Sequence, residues 1–241
     1  MRTKNITFIF LIIGFLIGIN LQAQEKFEIE AGTDIVSRYN WRGIDFGNSP
    51  AFQPSLSANY FGFQLGVWGS YTFNETASVS DEIDSWLSYS FNINSVSISA
   101  ILTDYYFPNS GLRFGNFNNF DDTDGAGAHT LEFGLSIGSA SFPLSLSAYY
   151  NFYNDAGNNA YFQLDYNFNV NNYGLNLFCG ATPGSKDNPA YYGSDKFNVI
   201  NVGVKATKSI KITDNFDLPV FVVYGMNPRV DQAFMVLGIT L

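Results

Sequence analysis

From residue 27 to the end of the chain, apolar and polar side chains alternate with a period of two, in one short segment after another. That period belongs to a β-strand with a different environment on each face, and almost no helical periodicity competes with it. In 27–42 one parity reads Phe27, Ile29, Ala31, Ile35, Tyr39 and Trp41, while the other carries Glu28, Glu30, Asp34, Arg38 and Arg42. The split recurs in 52–60, 63–72, 83–91, 96–106, 131–137, 144–152, 162–170, 173–179, 200–207, 218–224 and 234–241. Twelve strands are therefore expected. An even number returns both ends of the chain to one side of a barrel.

Two kinds of all-β protein alternate in this way: a soluble sandwich and a barrel in lipid. The connections separate them. Those at 43–50, 74–82, 108–129 and 181–196 are long or polar, and those at 61–62, 92–95, 138–143 and 171–172 are short. Long loops at one end and short turns at the other are the arrangement of outer-membrane barrels. Three connections fit less well: 209–216 is long for its side, and 154–159 and 227–231 are short for theirs. Aromatics gather at the ends of the apolar parity. Tyr39, Trp41, Tyr71, Tyr106, Phe152, Phe162 and Tyr224 are expected at the outer interface. Tyr60, Phe63, Tyr89, Phe91, Phe142, Phe168 and Tyr173 are expected at the inner one. Such belts suit rings with an apolar body and a wet edge. The last segment sets Met235, Leu237, Ile239 and Leu241 on one parity, like the terminal strand of an outer-membrane barrel, although an aromatic residue is usual at its end.

Composition narrows the choice further. Only 14% of the residues are charged while 17% are aromatic, and Lys+Arg 12 against Asp+Glu 21 gives a net charge of −9. An acidic chain has no basic face for phosphates, so no nucleic-acid partner is expected. One Cys excludes an internal disulfide and any paired-cysteine metal motif. Residues 1–23 read as a secretory signal peptide. Arg2 and Lys4 precede an apolar run at 6–19, and Ala23 stands at the cleavage point. Its removal takes two positive charges away and moves the net charge from −9 to −11, leaving 24–241 as an outer-membrane β-barrel domain.

The stretches Ser37-Arg38-Tyr39-Asn40-Trp41-Arg42-Gly43-Ile44, Ser49-Pro50-Ala51-Phe52-Gln53-Pro54 and Phe61-Gly62-Phe63-Gln64-Leu65-Gly66-Val67-Trp68-Gly69-Ser70 resemble the TorF-type porin family, long described as a conserved bacterial family of unknown function. Glu82-Ile83-Asp84 before a strand also matches its pattern. The resemblance is close over about the first third of the chain and implies an outer-membrane barrel, without a substrate.

The polar parity is where function is expected. Glu30, Asp34, Arg38, Arg42, Asp84, Glu132, Asp165 and Lys205 fall on it and are read as charged residues lining a lumen. On the lipid face each would cost up to ~2–4 kcal/mol at the midplane. Arg38 and Arg42 are expected to oppose Glu30 and Asp34 across or along the lumen, and the acidic balance points to a mild cation preference. The other inward residues are largely Gly, Ser, Asn and Thr. Twelve tilted strands give a backbone diameter of roughly 26 Å, of which about 10 Å stays open after side chains. Trp68, Trp86, Ile101, Phe178, Phe221 and Val223 also point inward and would narrow or block the passage, and the loop 108–128 is long enough to fold in as a constriction.

Catalysis is not expected. His129 is the one histidine, and Leu131 occupies the place where barrel hydrolases carry a serine, so His129 reads as a loop or interface residue. The acidic run Asn119–Gly125 lacks calcium-loop spacing. Cys179 falls on the apolar parity and reads as inert. No catalytic residue, metal ligand or cofactor is assigned. The expected partners are outer-membrane lipid, lipopolysaccharide and small hydrophilic solutes passing through the lumen. The alternative is a non-conducting barrel that binds lipid or a partner protein.

Overall fold

A computed structural model describes residues 26–241; the expected signal peptide, 1–23, lies outside them. The strands are β1 (Glu28–Val36), β2 (Asn40–Trp41), β3 (Ile44–Asp45), β4 (Ala51–Tyr60), β5 (Phe63–Thr72), β6 (Glu82–Ile93) and β7 (Val96–Tyr106). They continue with β8 (His129–Ser139), β9 (Phe142–Tyr153), β10 (Ala160–Val170), β11 (Tyr173–Thr182), β12 (Asn198–Thr213), β13 (Phe216–Asn227) and β14 (Gln232–Thr240). All but β2 and β3 form one closed antiparallel barrel of twelve strands, in which every strand pairs with its sequence neighbours and β1 closes on β14. The closing seam is brief: Asp34, Ile35 and Val36 pair with Thr240, Ile239 and Gly238.

The barrel has its apolar face outside. Ile29, Leu65, Leu87, Leu135, Leu146, Leu164, Leu177 and Leu237 are each 42–66% exposed, on eight different strands. An apolar surface encircling the molecule exceeds anything a soluble protein shows to water, and it is the wall of a transmembrane barrel. Tyr71, Phe152, Phe162 and Tyr224 are exposed toward the long-loop end, and Tyr60, Phe63, Phe142 and Tyr173 toward the short-turn end.

The short turns follow from local chemistry. At Phe61-Gly62 both residues have positive φ, 50° and 79°, the left-handed pair a twisted two-residue hairpin needs. A side chain at position 62 would lie 2.5 Å from the Ser90 carbonyl oxygen. The turn expected over 209–216 is shorter than its sequence suggests. β12 runs on to Thr213 and β13 starts at Phe216, so only Asp214 and Asn215 connect them. That connection therefore obeys the short-turn rule after all.

The first segment departs from the expectation in a more consequential way. The wall strand ends at Val36, not at Arg42. The chain then leaves the wall and forms a second, smaller hairpin, with Asn40 paired to Asp45 and Trp41 to Ile44. Its tip is Arg42-Gly43, again with both φ positive, 50° and 79°. Alternation runs unbroken through residue 42 because both pieces are β-structure; the period does not tell a wall strand from an inserted hairpin.

Candidate functional site: a hairpin across the lumen

The hairpin reaches from β1 to the far wall. Its tip residue Arg42 donates two hydrogen bonds to Glu132 of β8, at 2.5 and 2.8 Å, and one to the Tyr192 hydroxyl at 2.7 Å. In ring order β8 is five strands from β1 by one route and seven by the other, so this contact spans the barrel. The guanidinium carbon lies 4.3, 4.2 and 4.8 Å from the ring centroids of Trp41, Tyr149 and Tyr161. Glu132 also accepts from the Tyr105 hydroxyl at 2.8 Å. Both charges are nearly sealed, with side chains 9% and 2% exposed. Desolvating an ion pair is costly, and bidentate geometry with further hydrogen bonds from Tyr105 and to Tyr192 offsets that cost here.

Around the tip the packing is close. Gly43 sits so near β12 that a Cβ there would fall 2.1 Å from the Ile200 carbonyl oxygen, and its own carbonyl accepts from Asn227 at 3.3 Å. Trp41 stacks on Tyr192 at 6.0 Å and meets Tyr105 and Tyr191 edge-on. At the hairpin's base, the Tyr39 hydroxyl donates to Glu82 at 2.7 Å while its ring rests on Trp68 at 5.5 Å. Tyr39 and Trp41, expected in the outer aromatic belt, therefore sit inside the barrel. Their segment leaves the wall before reaching them.

The other charged residues singled out from the sequence separate into distinct settings. Arg38 pairs with Asp45 of the same hairpin at 2.8 Å. Neither arginine faces Glu30 or Asp34; each has its own carboxylate. Asp34 accepts from Thr240 at 2.6 Å across the closing seam, and Glu30 lies exposed opposite Ser57. Asp165 accepts from Gln163 at 3.0 Å and Asn176 at 3.1 Å. The Lys205 ammonium lies 4.4 Å from the Phe221 ring centroid. Asp84 stands two residues from Glu82 on the same face of β6. Tyr105, Tyr149, Tyr161 and Tyr192 are not singled out from the sequence, and Glu82 enters there only within the Glu82-Ile83-Asp84 motif. Tyr105 and Tyr149 carry a weak signal, because each falls on the polar parity of its segment.

Five inward aromatic rings of the wall pack on glycines of the neighbouring strand. Trp86 covers Gly66, Tyr149 covers Gly134, Phe178 covers Gly203, Phe221 covers Gly238 and Phe234 covers Gly225, each pair directly opposed across two strands. A Cβ at Gly66 or Gly238 would come within 2.1 Å of the ring. Glycine on one strand makes the recess that the ring on the next one fills. Two cavities remain beside the hairpin, sharing Tyr39, Arg42 and Gln163. One, of about 460 Å³, contains Trp68, Asp84, Trp86 and Thr103; the other, of about 270 Å³, contains Arg38, Asn201, Lys205 and Phe221.

The long loop 108–128 does not enter the lumen. His129 shares its outward parity with the exposed Phe133 and Leu135, and it is capped there by the loop. Its ring stacks on Phe117 at 4.0 Å and on Tyr106 at 5.3 Å. Its Nδ1 meets Asp104 at 2.9 Å and its Nε2 meets the Phe114 carbonyl at 2.6 Å. The loop thus folds over the outside of the rim, and the constriction comes from the hairpin instead. Elsewhere on that rim, Asp155 collects amide hydrogens from Asn151, Asn159 and Asn188 at 2.8–3.0 Å, tying two loops together. Burial works to raise its pKa, but the donors led by Asn188 outweigh it and hold the carboxyl below its ordinary range. Among the described residues no group of three His, Cys, Asp or Glu side chains is placed to hold a metal ion.

Fold and lumen together define a twelve-stranded transmembrane barrel with an inserted hairpin. The chain belongs to the bacterial family of proteins of unknown function called Gcw_chp, whose model matches residues 20–216. That description carries no activity, and the narrower TorF-type resemblance stays with the motifs that suggest it. No curated protein matches the chain. Among solved structures it is similar to a KdgM porin, with TM-score 0.49 and 13% identity over 87% of this chain and 96% of that one. It is also similar to a KdgM porin in complex with disordered oligogalacturonate, with TM-score 0.49 and 15% identity over 88% and 96%. At these values the barrel assignment rests on this chain's own strand pairing.

Proposed function

We propose that this chain is a narrow outer-membrane channel that passes small hydrophilic solutes, exported by its signal peptide and held in lipid and lipopolysaccharide by its apolar wall. One observation carries the reading: five inward rings pack against glycines of the wall, and cavities remain on both sides of the hairpin. A barrel built only as a scaffold gains nothing from recesses that keep large side chains out of its centre. The charges of the lumen sit on the water side, where they are tolerated. The reading gives the channel no chemistry of its own: His129, the one histidine, is held by Asp104 and the Phe114 carbonyl.

The hairpin is what favours the alternative, a non-conducting barrel that binds lipid or a partner protein, because it narrows the passage at Arg42. Planar-bilayer recording of the refolded mature chain decides between them. The channel reading expects small discrete conductance steps that grow when Arg42→Ala releases the hairpin tip. Flat traces from both proteins, with the barrel folded, would defeat it in favour of the binding barrel.

A further inference from the structure

We propose that the larger lumen cavity is a binding subsite for uncharged saccharides, which deepens the channel reading and rests on it for the direction of traffic. Its floor is built on adjacent strands. Trp68 of β5 lies directly opposite Asp84 of β6, and Trp86 follows Asp84 by two residues, so all three share the inward face. Trp86 lies with one face against Gly66, and its indole nitrogen donates to Gln64 at 2.8 Å. That bond fixes the ring plane and leaves the second face to the cavity. Both tryptophans are half-buried.

The polar groups around these rings point to the same ligand. Asp84 lines the cavity and is half-buried, so its carboxyl group is open to a ligand there. A carboxyl group beside an aromatic floor is a hydrogen-bonding partner for a ligand hydroxyl. Thr103, directly across from Trp86, and Gln163 line the same space. A pyranose presents a face of C–H bonds that packs on an aromatic ring and an edge of hydroxyls that donate and accept. Flat indoles beside a carboxylate, a hydroxyl and an amide match both surfaces. The cavity's ~460 Å³ falls within the usual range for small-molecule sites. Charge argues for a neutral sugar: Arg42, the one basic residue lining this cavity, is already paired with Glu132, so an acidic sugar would find no free cation there.

The three tryptophans, Trp41, Trp68 and Trp86, all border this cavity, so intrinsic fluorescence reads it directly. The refolded mature chain in vesicles is titrated with maltose while conductance is recorded on the same preparation. A saturable fluorescence change is expected. It should weaken by about tenfold or more in Trp86→Leu and in Asp84→Ala, and stay unchanged in Phe152→Leu on the outer wall. Resistance of the folded barrel to detergent unfolding confirms that each variant folds, and Asp84→Ala carries the test if Trp86→Leu does not. Absence of a saturable response in the unaltered protein, or an equal response in Asp84→Ala, overturns the subsite. Conductance steps without a maltose response leave the channel standing and the subsite refuted. A maltose response without steps does the reverse.

Discussion

Arg42 and Glu132, ninety residues apart in the chain, meet in a bidentate ion pair across the inside of the barrel. The pair gives the barrel a cross-brace and seats the hairpin tip on the far wall. Removing one partner strands the other as a buried charge.

Glu132→Gln is therefore expected to lower stability by on the order of 3–5 kcal/mol, the cost of orphaning a buried charge. Arg42→Met, which removes the charge but keeps apolar contact with Trp41 and Tyr149, should cost less than Arg42→Ala. Urea unfolding of the refolded barrel measures all three. Equal stability in Glu132→Gln and the unaltered chain would mean that the tip is not seated on β8.

Gly66→Ala tests the recesses. The new Cβ would sit 2.1 Å from the Trp86 ring, which must swing into the lumen and break its bond to Gln64. Overpacking of this kind costs roughly 1–3 kcal/mol. The expected signature is a shift in tryptophan emission together with a smaller conductance, whereas Gly115→Ala, whose Cβ meets open space, changes neither.

Asp155 predicts a pH dependence. Its folded pKa lies below the ordinary aspartate value of about 3.9, so its contribution is complete above that value and fades as pH falls through and below it. Asp155→Asn should lower the melting temperature at pH 7, with the difference shrinking toward pH 2. A difference independent of pH would mean that the amide cluster, not the carboxylate charge, ties the two loops.

Much of this fold is legible in the sequence, because a wall between lipid and water writes its register into every second residue. Leu146 and Ser147 already say which way each side of β9 faces. The hairpin is not legible, since Trp41 and Arg42 continue the alternation of 28–36 and only tertiary packing shows that they have left the wall. The partners of Arg42 are hidden for the same reason: Glu132 and Tyr192 are joined to it by barrel closure, with no local pattern. The cross-strand glycines are visible afterwards as Gly66, Gly134 and Gly203 on the inward parity, each opposite an aromatic residue. Sequence alone reads them only as small residues that leave room.

Cys179 supplies the most direct measurement, because the native chain offers one thiol and the wall places it outside, between Leu164 and Val202 of the flanking strands. Vesicle-embedded protein is treated with a charged, membrane-impermeant thiol reagent. The inward-facing Ser147→Cys, made in a Cys179→Ala background, is treated alongside. Labelling of position 147 while Cys179 stays protected until detergent is added is the predicted result. Rapid labelling of Cys179 in intact vesicles, with position 147 inert, would contradict the assignment of hydrocarbon to the outside and water to the inside.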